Sequence, residues 1–105
     1  MKTVTMCGSI RFAEKMKRIS FKLETEHHFN VIQCTYNEDS LEITKEKGKA
    51  LSEAHYEKIK KSDAIFVVDI NEYIGKSVSE EINFAKSLGK EIIYYSKWKG
   101  EQSNE

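Results

Sequence analysis

The sequence predicts an α/β domain, with a small, mainly parallel sheet of four to five strands and helices on both faces. Three observations predict it. Short β-type runs alternate with helical patterns from one end of the chain to the other. One run, Ala64-Ile65-Phe66-Val67-Val68-Asp69, is continuously apolar up to its last residue, as a central parallel strand covered on both faces must be. The first strand and the loop after the central strand both reach a glycine, Gly8 and Gly75, just before a helical pattern begins. That arrangement delivers backbone N–H groups to the C-terminal edge of a sheet.

The elements follow in order. Val4 to Cys7 is the first strand, and it ends in Gly8-Ser9. Phe12, Met16, Ile19 and Leu23 then recur at helical spacing, with Glu14, Lys15, Lys17, Arg18, Lys22 and Glu24 between them as a solvated face. His27-His28 reads as the solvated end of that helix. Phe29 to Cys34 reads as a second strand. Residues 35–49 are polar and weakly patterned, which predicts a long loop with one helical turn near Leu41 and Ile43. A second helix is expected over Ala50 to Lys61, with Leu51, Ala54, His55, Lys58 and Ile59 on one side. After the central strand, Ser77 and Glu80 have the spacing of a capping box, with Ser77 as N-cap. Val78, Ile82, Ala85 and Leu88 form the apolar stripe of this third helix, and Gly89 suits its C-terminal stop. Glu91 to Tyr95 is the fourth strand, and fraying is expected from Lys97 onward. One domain over 1–98 with a polar tail over 99–105 accounts for the whole chain.

Composition narrows the function. Of 105 residues, 39% are hydrophobic and 32% charged, and 17 Lys plus Arg balance 17 Asp plus Glu. A nucleic-acid or anionic-membrane partner would favour a basic excess, so neither is expected. No run approaches a membrane span, and Met1-Lys2-Thr3-Val4 opens no apolar stretch of signal-peptide length. The cytoplasm is the expected compartment. Cys7 and Cys34 are too few for a disulfide scaffold and read as small buried hydrophobes, with no metal or cofactor expected. A chain this short gains from pairing with a second copy, so a homodimer is expected.

Chemistry is expected beyond the C-terminal strand ends. Gly8, Ser9, Ile10 and Arg11 join a strand to a helix: glycine admits a ligand to the backbone, Ser9 adds a hydroxyl, and Arg11 adds a charge that can fork onto phosphate. A serine cap and a surface arginine are the plainer alternative. Glu81 falls beside the apolar stripe of the third helix, where a carboxylate is costly unless something pairs with it; helix-dipole preference for acidic residues is the competing account. Asp69 either accepts sugar hydroxyls or caps the turn that follows it. Tyr73 lies where a ring can be stacked upon, and Gly75 and Ser77 open a helix N-terminus to an anion. Gly75-Lys76-Ser77 matches only the end of a nucleotide-triphosphate loop, because Ile70 stands where the pattern needs glycine. His55 is a lone helical histidine, either packed or able to move a proton near neutrality.

Cys7-Gly8-Ser9-Ile10-Arg11, the block Ser62 to Asp69, Gly75 through Ala85 with Glu81, and Leu88-Gly89-Lys90 stand in one order over Thr3 to Ser96. In that order they resemble the nucleoside 2-deoxyribosyltransferase-like superfamily. It includes base-exchanging transferases and deoxynucleoside 5′-monophosphate N-glycosidases. The resemblance implies a flavodoxin-like three-layer sandwich and a dimer or larger assembly whose neighbour often closes the site, here with residues 35–49 as the candidate closure. It implies Glu81 as nucleophile, with Ser9, Arg11 and Gly75 to Ser77 meeting the sugar or its 5′-phosphate. His55 stands where the N-glycosidases carry an aspartate. The expected activity is N-glycosyl hydrolysis or transfer on nucleosides or nucleoside 5′-monophosphates, with Glu81, His55 and Asp69 as catalytic candidates. The alternative is a nucleotide-derivative binding module without turnover.

Overall fold

The computed structural model describes residues 1–98; the polar tail over 99–105 lies outside the described residues. Four strands, β1 (Lys2–Gly8), β2 (Phe29–Ile32), β3 (Ala64–Val68) and β4 (Glu91–Tyr94), form one sheet in the order β2-β1-β3-β4. Every pairing is parallel, with Val4 opposite both Val31 and Ala64, and Phe66 opposite both Met6 and Ile93. Three α-helices make the crossovers: α1 (Ala13–Glu26), α2 (Lys45–Lys60) and α3 (Lys76–Ser87). The fold is the expected α/β sandwich, with four strands.

The two sheet faces have separate cores. On one, Val4, Met6, Ala64, Phe66 and Val68 pack with Met16, Ile19 and Leu23 of α1. On the other, Cys7, Ile65 and Val67 pack with Ile59 of α2 and Val78, Ile82 and Ala85 of α3. Strand β3 is buried along its whole length, which its unbroken apolar run requires. β1 and β3 are fastened at their starts by Asp63, whose carboxylate accepts from the Thr3 N–H at 2.8 Å while its own N–H donates to the Thr3 carbonyl at 2.8 Å.

Several expectations need correction. β2 stops at Ile32, two residues short of Cys34. Helix α2 starts at Lys45, five residues early, because the Thr44 hydroxyl caps it by accepting from the Lys47 N–H at 3.2 Å. The expected helical turn near Leu41 and Ile43 does not form. Ser77 is not an N-cap: α3 begins at Lys76 behind Gly75, which has no side chain to cap with. Leu88 is 44% exposed rather than part of the buried stripe. The α3 stop is as expected. Gly89 has φ +73°, its N–H donates to the Lys86 carbonyl at 3.0 Å, and the Lys90 N–H donates to the Ala85 carbonyl at 3.0 Å. That pair of bonds is a Schellman ending, and it needs the left-handed residue glycine supplies. Trp98 does not fray. It packs edge-on to Phe66 with ring centroids 5.4 Å apart and against His27 at 4.7 Å. His27 is accordingly half-buried, not solvated.

Candidate functional site

The chain runs from β1 outward to β2 and returns on the other side of β1 to form β3. The loops leaving β1 and β3 therefore diverge from adjacent strand ends, where Gly8 pairs with Val68. A crevice at such a switch point is the usual ligand position in open parallel sheets.

One wall of this region is the loop after β1. The side chain of Gly8 is absent for packing reasons: a Cβ there would lie 2.5 Å from the Met16 sulfur and 3.3 Å from the Val68 Cβ. Ser9 caps the 3-10 turn Ile10–Phe12, its hydroxyl accepting from the Arg11 N–H at 3.4 Å. Ile10 is 63% exposed. The Arg11 guanidinium lies 4.4 Å from the centre of the Tyr73 ring, a cation–π contact that joins this loop to the one after β3. Gly75 lies under the same ring, since a Cβ there would be 3.3 Å from the Tyr73 hydroxyl. In the β3 loop, Asn71 and Glu72 both have positive φ, +54° and +63°. Two successive non-glycine residues in that region store strain, which surrounding structure must hold in place.

Asp69 is placed differently from its neighbours. Its carboxylate accepts from the Ser96 N–H at 2.9 Å and the Ser96 hydroxyl at 2.6 Å, and the residue is 4% exposed. It clamps the end of β3 to the segment after β4. It does not cap its own turn, because its side chain accepts from no N–H there.

The residues brought together are Cys7, His55 and Glu81. Each comes from a different element: Cys7 from the C-terminal end of the interior strand β1, His55 from α2, and Glu81 from α3. His55 lies one turn before Ile59, the buried residue of α2, and so faces the sheet. Glu81 lies between Val78 and Ala85 on the buried side of α3. Tyr56 and Phe84, edge-on with centroids 4.7 Å apart, hold the two helices together beside them. His55 Nε2 is 3.3 Å from Glu81 Oε1 and 3.4 Å from Cys7 Sγ. The His55 and Glu81 side chains are 12% and 18% exposed, and Cys7 is 1% exposed. Burial first, and then the charge of the Glu81 carboxylate that accepts its hydrogen bond, push the Cys7 thiol well above its ordinary pKa. Those surroundings favour the neutral thiol over a thiolate nucleophile.

Cys34 lies near enough to feel both Glu81 and Lys58, and burial raises its pKa. The Lys58 ammonium anchors the passing chain by donating to the Gln33 carbonyl and the Thr35 hydroxyl, each at 3.1 Å. Beyond it, residues 35–43 and the first turns of α2 enclose an apolar hollow of about 400 Å³ lined by Tyr36, Leu41, Ile43 and Leu51 among others. None of the Cys7, His55 and Glu81 side chains lines it. Leu51 stands one turn from His55, so hollow and polar group share one helix.

Sequence reasoning singled out Glu81 and His55 but read Cys7 as packing. Cys7 is buried as expected, yet its contact with His55 spans 48 positions, and no local pattern encodes it. No family model, curated protein or solved structure matches the chain.

Proposed function

We propose that this chain is an N-glycosyl hydrolase or transferase acting on nucleosides or nucleoside 5′-monophosphates, with Glu81 as nucleophile. The observation that carries the reading is the state of Glu81: a carboxylate 18% exposed at the C-terminal edge of the sheet, with Oε1 held by His55. The sequence motifs around it, Cys7 to Arg11 and Gly75 to Ala85, support the same reading by resemblance.

The chemistry follows from those groups. The Glu81 carboxylate attacks the anomeric carbon as the bond to the base breaks, and the electrons leave with the base. The resulting glycosyl ester is then opened by water in a hydrolase or by a second base in a transferase. Its negative charge also stabilises the oxocarbenium-like transition state. With its proton on Nε2, His55 donates to Oε1, and the Cys7 thiol packs against the same ring nitrogen at 3.4 Å. Those contacts fix the carboxylate and make His55 a positioning residue rather than the acid for the departing base. Arg11, braced on Tyr73, supplies the charge for a 5′-phosphate.

We further propose a homodimer in which residues 35–49 close the neighbour's site. Leu41 and Ile43, 65% and 49% exposed on the rim of the apolar hollow, support it. Sedimentation over a dilution series should show a species of twice 12.2 kDa; a monomer that turns over substrate at micromolar concentration removes the shared site.

The activity itself is tested by incubating the protein with a panel of ribo- and deoxynucleosides and their monophosphates and separating free base by chromatography. Release of base from at least one member is expected. Ligand-dependent thermal stabilisation without any base release supports the binding-module reading instead.

A further inference from the structure

We propose that Cys7, His55 and Glu81 form a three-ligand site for a zinc-like divalent cation, and that the cation and the nucleoside compete for Glu81. The competition rests on the reading of Glu81 as nucleophile; the cation site does not.

Thiolate, imidazole and carboxylate are the three side-chain ligands zinc takes, and their donor atoms here all lie within 4.8 Å of one another. The spacing is specific. A tetrahedral zinc with a Zn–S bond of about 2.3 Å and Zn–N and Zn–O bonds of about 2.0–2.2 Å separates its ligand atoms by roughly 3.4–3.6 Å. Cys7 Sγ and Glu81 Oε1 stand 3.4 and 3.3 Å from His55 Nε2. Two of the three separations therefore already match those around a single cation, and the third, between Cys7 Sγ and the Glu81 carboxylate, is at most 4.8 Å and closes by side-chain adjustment.

The arrangement also argues against a relay. In a nucleophile–histidine–acid relay the nucleophile and the acid use different ring nitrogens. Here both converge on Nε2, which is how ligands surround a point between them. The buried thiol, held protonated by its surroundings, opposes a free thiolate nucleophile in the same way.

Charge and protons balance. On binding, the Cys7 thiol loses its proton to solvent and becomes a thiolate. His55 ligates as the neutral imidazole, with its proton on Nδ1 so that Nε2 is free for the cation. Thiolate and carboxylate together carry two negative charges, which a divalent cation neutralises in a site where unpaired charge is expensive. Three protein ligands leave a fourth position, and the partly exposed side of Glu81 is where it opens to solvent. A cation so held engages the carboxylate oxygen and takes the His55 donor away from it, so Glu81 cannot attack a sugar.

The test uses the reduced full chain and cobalt(II) as a spectroscopic stand-in, then zinc. One equivalent of cobalt should give a thiolate-to-cobalt charge-transfer band and visible bands of tetrahedral intensity, both bleached by one equivalent of zinc. Cys34→Ser should retain the bands. Cys7→Ala should lose the charge-transfer band, and His55→Gln, on a largely exposed helix, should weaken zinc binding by at least about tenfold to a hundredfold. Circular dichroism of each variant checks its fold. A folded, reduced chain without a charge-transfer band overturns the site, as does a band that survives Cys7→Ala and disappears in Cys34→Ser. Zinc should also stop base release. Zinc that binds at the site and leaves turnover unchanged overturns the competition. Cobalt binding without base release from any substrate keeps the cation site and removes the glycosidase reading; base release without cobalt binding does the reverse.

Discussion

The two faces of the sheet are built to different rules. On the α1 face, Val4, Met6, Phe66 and Val68 meet Met16, Ile19 and Leu23, and the aromatic rings of Tyr95 and Trp98 close over Phe66. On the α2–α3 face the same strands present Thr5 and Cys7 among their apolar residues. Thr5 hydrogen-bonds to Ser62 and donates to the Lys58 carbonyl at 3.0 Å, and Cys7 meets His55 and Glu81. Helix α2 buries Ile59 alone, whereas α1 buries Met16, Ile19, Ser20 and Leu23. The α1 face therefore carries the bulkier, more aromatic core. The other gives up some apolar burial to keep polar groups satisfied at the strand ends, where chemistry is possible.

The difference predicts where substitutions act. Phe66, fully buried and ringed by aromatic residues, should lose about 3–5 kcal/mol on Phe66→Ala, read as a fall in the urea midpoint. Thr5→Val, equally buried on the opposite face, removes one hydroxyl from a small network and should cost about 1–2 kcal/mol. Equal losses would erase the contrast between the faces.

Arg11→Ala tests the crevice rather than either core. It should weaken a nucleoside monophosphate by about tenfold to a hundredfold, the roughly 1.5–3 kcal/mol of a charged hydrogen bond, and its nucleoside by much less. Competition binding with both ligands measures this, and equal weakening removes the phosphate role. Gly8→Ala should cost about 1–3 kcal/mol through the clash with Met16 and Val68. A neutral result would mean that Met16 repacks freely.

The smallest effect concerns pH. The Cys7 thiol is raised in the folded state by burial and Glu81. Above the ordinary thiol value of about 8.5 the unfolded chain gives up this proton while the native chain keeps it. The unfolded state then binds fewer protons, so stability falls as pH rises through that range. Denaturation midpoints should decline more steeply above about pH 8.5 in the wild type than in Cys7→Ala. Parallel slopes contradict the protonated thiol.

Much of this architecture was legible from residue pattern, and the reasons differ by element. Strand β3 announced itself because a strand covered on both faces has no polar alternation. Gly89 was legible because its left-handed φ is a local demand. The start of α2 was not, because Lys45 to Lys49 carries no apolar period and only the Thr44 cap marks it. Ser77 misleads for the opposite reason: its spacing to Glu80 satisfies a capping box, while the backbone enters α3 two residues earlier, with Gly75 at the N-cap position. Trp98 looked like part of a polar end, and only the tertiary position of Phe66 and His27 explains its packing. Within the site, Glu81 was visible as an acid on an apolar stripe. Its joining to Cys7 and His55 depends on where β1, α2 and α3 converge, which no single segment records. The sequence leaves Asp69 open between meeting sugar hydroxyls and capping its turn, and the Ser96 hydrogen bonds it accepts come from the far end of the chain.

Two adjacent carboxylates of α3 have different surroundings. Glu81 is held by His55 on the inner side of α3, and Glu80 is exposed to solvent. Base release by Glu81→Gln and Glu80→Gln, measured beside the wild type on the best substrate of the panel, tests the claim most directly. Glu81→Gln should lose roughly 10⁴-fold or more in turnover, as removal of a covalent nucleophile does, and Glu80→Gln should stay within about twofold of the wild type, as surface changes away from the chemistry do. Wild-type turnover in Glu81→Gln, or equal losses in both variants, would contradict it.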